Sequence, residues 1–280
     1  MDIKASDVKA LREKTGAGML DCKNVLVEAN GDFAAAEKKL KELGLAAAAK
    51  RSGKAANEGR VFSKIADKCA SLVELSCETD FVSRNKDFID LGTQIVNTVA
   101  GSCLSEASDE ITNMVDDVKS RIKENMGLKR ICSVPIGENE IAVDYIHGEG
   151  SIGVILKAQV ENGDMLNNED LKAFIFDCAL HIAAFNPLYL NREDVEDSYL
   201  KEQEEIFTKQ AASLGKPDNI VAGIVKGKLK KHLSEVVMVD QGFVKEEKKS
   251  VSQKLDEIGK GAGGTVKLVD FAYFKVGQDS

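Results

Sequence analysis

The sequence of 280 residues carries a formal net charge of −8, with 30% charged and 5% aromatic residues, no Trp and three Pro. That length holds one large core or two moderate ones, and the mix suits a helix-rich soluble chain. The acidic balance argues against direct binding to a nucleic acid, which rests on clustered Lys and Arg, and no apolar run nears the roughly 20 residues that cross a membrane.

Residues 1–45 hold three short helical patterns. Val8 and Leu11 share a face; Met19, Cys22, Leu26 and Ala29, then Phe33, Ala36, Leu40 and Leu43, recur at three- and four-residue spacing. Gly16 and Gly18 punctuate the first junction and Asn30-Gly31 the second, and Asp32 is placed to cap the third helix. A bundle this small buries little surface, so its expected task is to hold a partner. The alanine-rich run from Gly44 to Gly59, broken at Ser52-Gly53, reads as a tether to the main body.

From Arg60 the period becomes two, which predicts a β-hairpin turning at Asp67-Lys68 and returning over 70–77. Asp80 is placed to cap the helix marked by Phe88, Leu91, Ile95, Val96 and Val99; Ile111, Met114, Val115, Val118 and Ile122 mark the next. Strands are expected over 130–136, 141–147 and 152–160, with Gly148 and Gly150 turning between the last two. A helix then runs through Leu171, Phe174, Ile175, Cys178 and Ile182 to Asn186-Pro187. Residues 193–233 are highly charged with sparse apolar positions, interrupted at Gly215-Lys-Pro217, the pattern of a projecting antiparallel coiled coil. Strand character resumes over 236–239, a short helix follows over 250–257, and the last strand covers 265–276.

Thr15-Gly-Ala-Gly-Met-Leu-Asp-Cys-Lys23 and Cys77-Glu-Thr-Asp-Phe-Val-Ser83 are followed in order by Tyr145-Ile-His-Gly148, Ile152-Gly-Val154 and His181-Ile-Ala-Ala184 with Pro187. Gly215-Lys-Pro217 and Gly242-Phe-Val244 complete the series. The ordered set covers nearly the whole chain and resembles the bacterial elongation factor Ts family, nucleotide exchange factors of elongation factor Tu. The resemblance agrees with an α+β fold class: a three-helix UBA-like bundle, then two α+β subdomains with antiparallel sheets and an inserted helical coiled-coil hairpin. The expected divisions are 1–54 (bundle and linker), 55–139, 140–190 plus 234–280, and 191–233 (hairpin). Some family members continue beyond the last strand with a further helix; Gly277-Gln-Asp-Ser280 gives no expectation of that contact.

On the residues alone, Asp80 and Phe81 read as a helix cap and a core plug at a strand-to-helix corner. The resemblance implies the opposite orientation: Asp80, Phe81, Val82 and Ser83 point outward and dislodge Mg2+ from elongation factor Tu. Arg12, Met19, Leu20 and Lys23 are either core and solvated surface or, as the resemblance implies, a contact to the partner's G domain. His147 and Gly148 stand at a hairpin tip, which the resemblance directs to the partner's third domain. The implied partner is elongation factor Tu, GDP-bound and nucleotide-free, and in some relatives the charged hairpin pairs two copies.

Two rival classes stay open. One is an adaptor without exchange activity; the other is an enzyme using Gly259-Lys-Gly-Ala-Gly-Gly-Thr265 on a nucleotide, although that run lacks the G-x-x-x-x-G-K-[ST] spacing and reads as a flexible turn. No catalytic residue, metal site or cofactor is expected: Cys178 and His181 give at most two ligands. Six cysteines at 22, 69, 77, 103, 132 and 178, without a C-x-x-C pair, read as reduced apolar filler in a cytoplasmic protein. The opening Met1-Asp-Ile-Lys-Ala-Ser6 has neither signal nor transit character.

Overall fold

The structure, a computed structural model, describes residues 3–213 and 217–278. Three helices open the chain: α1 (Ala5–Thr15), α2 (Met19–Glu28) and α3 (Phe33–Arg51). Gly16, in the left-handed region, ends α1, and the Asp32 carboxylate accepts from the Ala34 and Ala35 amides at the start of α3. Val8, Leu11, Cys22, Val25, Leu26 and Ala36 form the bundle core. Met19, Phe33 and Leu43, counted as face residues by their spacing, are exposed.

The expected tether is instead helix. The alanine run continues α3 to Arg51, and this half of the helix lies along α6 (Asp109–Arg121) of the main body. Lys41 pairs with Asp117 at 3.2 Å, and Arg51 Nη2 donates to the Ile122 carbonyl at 3.2 Å. Gly44 permits this approach: a Cβ there would stand 2.4 Å from the Ser120 carbonyl oxygen.

The main body has two three-stranded antiparallel sheets packed face to face. The first is ordered β1 (Glu58–Ala66), β2 (Cys69–Cys77), β3 (Met126–Pro135); the second is β4 (Glu140–His147), β5 (Ile152–Val160), β8 (Val266–Lys275). The period of two sorts side chains between layers. On β2, Ala70 and Leu72 meet Val61, Ile155, Ala272 and Phe274 between the sheets. Val73, Leu75 and Cys77 face the other way, onto α5 (Lys86–Ser102) and α6. On β5, Val154, Leu156, Ala158 and Val160 face α7 (Glu169–Phe185) and α10 (Val251–Ala262). A register slip opposite Lys157 and Ala158 switches the parity of β8, so that Leu268 before it and Phe271 and Tyr273 after it reach the same helix-facing core. Where β2 crosses the inter-sheet edge, buried Glu74 accepts from Arg130 Nε at 2.6 Å, and the Arg130 guanidinium lies over the Phe274 ring.

The charged segment forms α8 (Asp197–Ala212) and α9 (Asp218–Val236), antiparallel by the pairing of Tyr199 with His232 and Gln210 with Lys228. Leu214, one of the expected apolar positions, and Gly215 and Lys216 of the expected turn lie outside the described residues. Residues 236–239 form no strand: α9 runs to Val236, and Val237 makes a single bridge to Tyr189 before the small β6 (Gly242–Phe243) and β7 (Glu246–Ser250) pair. The hydrogen bonds that Leu188 and Tyr189 donate to the Val236 carbonyl hold this run as a helix end.

Cys69 and Cys103 are joined by a disulfide, correcting the expectation of six reduced thiols. The cause is topological: α5 starts just past the end of β2 and runs back along it, bringing Cys103, the C-cap that follows the helix, to the first residue of the strand. Cys22, Cys77, Cys132 and Cys178 are free.

Candidate partner-binding surface

β2 ends at Cys77, and two residues later the chain turns into the single-turn helix α4 (Asp80–Ser83). Phe81 on that turn is 81% exposed. The core-plug reading is therefore wrong. Val82 packs toward the helix-facing core of the first sheet, and Ser83 is buried with its Oγ donating to the Asp80 carbonyl at 2.8 Å. Nor does Asp80 cap the following helix: Thr79 is the N-cap of α4, and Asn85 caps α5 by accepting from the Asp87 amide. Asp80 is free to pair with Arg84, its Oδ2 lying 3.6 Å from Arg84 Nη2.

The corner is braced from below. The Thr79 amide and hydroxyl donate to the two oxygens of Glu124, at 3.1 and 2.8 Å. In return the Asn125 amide donates to Glu78 Oε1 at 2.6 Å, and Lys54 Nζ approaches Glu78 Oε2 at 3.0 Å. The Asn125 hydrogen bond and the lysine hold the Glu78 carboxyl below its usual range. Sequence reasoning missed Glu124 and Asn125, which sit before β3 with no signal linking them to residues 78–79. Burial, with Glu124 and Glu58 near by, pushes the Cys77 thiol up to about 12, so it stays protonated and is no nucleophile.

In the bundle, Met19 and Leu20 open α2 and are 50% and 69% exposed, while Cys22 takes the core position. Arg12 and Lys23 are also exposed. The neighbouring turn rests against the main body: Arg121 at the end of α6 lies beneath Gly16 and reaches Asp87 on the first turn of α5 at 3.7 Å. Since α5 directly follows α4, Arg121 links the bundle turn to the base of the Phe81 corner.

His147 ends β4, exposed, with Nδ1 2.9 Å from Tyr145 Oη. Gly148 follows in a turn whose next residue, Glu149, lies 3.5 Å from Arg84 Nε. The structure thus brings Asp80, Ser83 and Arg84 of the corner and Gly148 and Glu149 of the turn to one open cleft, whose lining includes neither Phe81 nor His147.

The elongation factor TS family profile matches residues 78–278. Elongation factor Ts of Treponema denticola is 47% identical over 277 residues, covering 99% of both chains. That of Borrelia hermsii is 44% identical over 278 residues, covering 99% of this chain and 100% of its own, and that of Borreliella burgdorferi is 44% identical over 276 residues, covering 98% and 99%. The chain belongs to the elongation factor Ts family. Membership in the elongation factor Ts family brings its role, guanine-nucleotide exchange on elongation factor Tu during translation elongation.

The nucleotide-enzyme rival loses its segment. Residues 259–262 are the last turn of α10, not a flexible loop, and Gly263 terminates it in the left-handed region. The carboxylate of Glu161 accepts from both the Thr265 amide and hydroxyl, placing a negative charge where a phosphate loop would bind one. Cys178 is buried, its thiol pushed up by burial and by Asp177, and His181 Nε2 lies 2.7 Å from Gln241 Oε1. Among the described residues no helix is long and apolar enough to cross a membrane.

Proposed function

We propose that this chain promotes GDP release by pressing Phe81, with Asp80, Val82 and Ser83 behind it, against the Mg2+ and phosphate region of elongation factor Tu. The observation that carries this reading is an aromatic ring held largely in solvent on a corner whose near side is braced by two crossed carboxylates. A ring that buries only about a fifth of its surface in its own fold leaves the rest for a partner to cover.

The exchange is a coupling between two ligands of one protein. If the factor and GDP·Mg2+ each favour a conformation the other disfavours, the factor weakens GDP, and incoming GTP expels the factor by the same amount. A thousandfold weakening needs about 4 kcal/mol, while burying one Phe supplies only ~1.5–3 kcal/mol. Phe81 therefore needs further footings. Arg12, Met19, Leu20 and Lys23 supply one on the G domain, and His147 with Gly148 supplies another on the third domain.

The factor binds elongation factor Tu in its GDP-bound and nucleotide-free states, in the cytoplasm, with no catalytic constellation or cofactor of its own. Its working units are the UBA-like bundle and linker over 1–54, the subdomains over 55–139 and 140–190 plus 234–280, and a coiled-coil hairpin over 191–233. Exposed Ile206 and Ile220 make that hairpin the candidate surface for pairing two copies. The test preloads elongation factor Tu with fluorescent GDP and adds substoichiometric factor with excess unlabelled nucleotide. Multiple-turnover release, opposed by high Mg2+, supports the proposal; stable binding without release refutes it and leaves an adaptor.

A further inference from the structure

The turn joining β4 to β5 contains three successive residues with left-handed φ: Gly148 at 53°, Glu149 at 55° and Gly150 at 98°. Glycine adopts that region freely; glutamate does not. A long acidic side chain kept there has a reason outside the backbone. The Glu149 carboxylate faces two guanidinium groups, with Oε2 3.5 Å from Arg84 Nε and 3.7 Å from Arg60 Nη2. Gly150 makes room for the second, since a Cβ there would stand 2.2 Å from Arg60 Cγ.

Arg84 is also the C-cap of α4, and its other arm reaches Asp80. Charges therefore alternate from the corner to the β4–β5 turn of the second sheet and back to β1 of the first: Asp80, Arg84, Glu149, Arg60. The bonds from Thr79 to Glu124 described above anchor α4 on the side of the first sheet, while the Ser83 hydroxyl bonds within the turn itself. The Arg84–Glu149 pair reaches the second.

We propose that Glu149 is a positioning residue for nucleotide exchange. Through Arg84 it holds the Phe81 helix and the His147–Gly148 turn at a fixed spacing, so that both meet the partner in one rigid approach. The inference rests on the exchange reading above. Exposed ion pairs contribute little to stability in water, but a one-turn helix has few bonds to resist pivoting, and small misplacement of a working group slows a reaction disproportionately. Once a partner covers the cleft and excludes water, the same charges attract more strongly.

The test compares full-length wild type, Glu149→Gln, Arg84→Gln and the double variant in fluorescent GDP release from elongation factor Tu. It also follows amide hydrogen exchange over residues 81–84 in the free protein. Glu149→Gln should lower the release rate at saturating factor about three- to tenfold, leave the half-saturating concentration within about twofold, and speed amide exchange over the corner. The double variant should be no slower than the slower single one, because the two groups act through each other. Additive losses, an unchanged maximal rate, or a raised half-saturating concentration with an unchanged maximum would each overturn the assignment, the last by making Glu149 a direct contact. Unchanged amide exchange overturns it whatever the activity. Failure of wild type to release GDP would instead strike the exchange reading, with the amide measurement still deciding the strap.

Discussion

Replacing Phe81 with alanine separates the wedge from its scaffold. With 81% of the residue exposed, about a fifth of its surface serves its own fold. Full burial of a Phe side chain is worth about 1.5–3 kcal/mol, so the fold loses only ~0.3–0.6 kcal/mol, the range of an ordinary surface substitution. The remaining four-fifths, about 1.2–2.4 kcal/mol, would be lost from the complex. If that energy acts only in the state that expels nucleotide, it converts to an ~8- to 60-fold slower release. Stopped-flow release of fluorescent GDP from elongation factor Tu measures the rate, and thermal unfolding checks the scaffold. Unchanged release from a folded variant would refute the wedge. A fall in Tm well beyond about 2 °C would show that the ring supports its own core after all.

Other outcomes follow from the same geometry. Gly44→Ala would gain up to about 1 kcal/mol in an isolated helix; here the clash with the Ser120 carbonyl reverses the sign, and denaturant unfolding should show a loss of about 1–3 kcal/mol. Met19→Ala combined with Lys23→Ala should leave the unfolding midpoint in place and weaken the complex roughly 5- to 10-fold by calorimetric titration, since the Met19 side chain is already half exposed. Burial holds the His181 imidazole below its ordinary value of 6.5. Above that pH the ring is neutral in both folded and unfolded states; below it the unfolded chain takes up a proton that the folded one resists, so stability falls as pH drops. His181→Phe should flatten that part of a stability profile measured from pH 7 to 5.

Much of the architecture was legible because burial imposes its period on the residues. β2 alternates between two hydrophobic layers and reads as a strand; Phe88, Leu91, Ile95 and Val99 fall on one face of α5 and read as a helix. The errors share a physical origin in contacts between distant segments. Gly44 looks like a breaker, yet it marks a close approach to α6 that no local pattern encodes. The glycines at 259 and 261 resemble a loop but continue α10, where Gly259 faces the backbone of Gly264. Val236 and Val237 carry strand propensity, and the hydrogen bonds from Leu188 and Tyr189 fix them as a helix end. Cys69 and Cys103 meet only because α5 retraces β2. At the site, local pattern pointed Phe81 inward; only the resemblance turned it out. Glu149 carried no family signal, and the role proposed for it rests on a backbone angle and two guanidinium groups.

Helix α3 spans 19 residues, about 28 Å at 1.5 Å per residue, and its second half is clamped to α6 by Lys41, Gly44 and Arg51. When two bodies are pressed together, the more compliant one deforms. A front module on a loose string would have let this protein yield. Mounted on a beam, the bundle and the Phe81 corner form a calliper whose gap is set when the chain folds, and if both are footings as proposed, the bending needed to seat them falls to the GTPase.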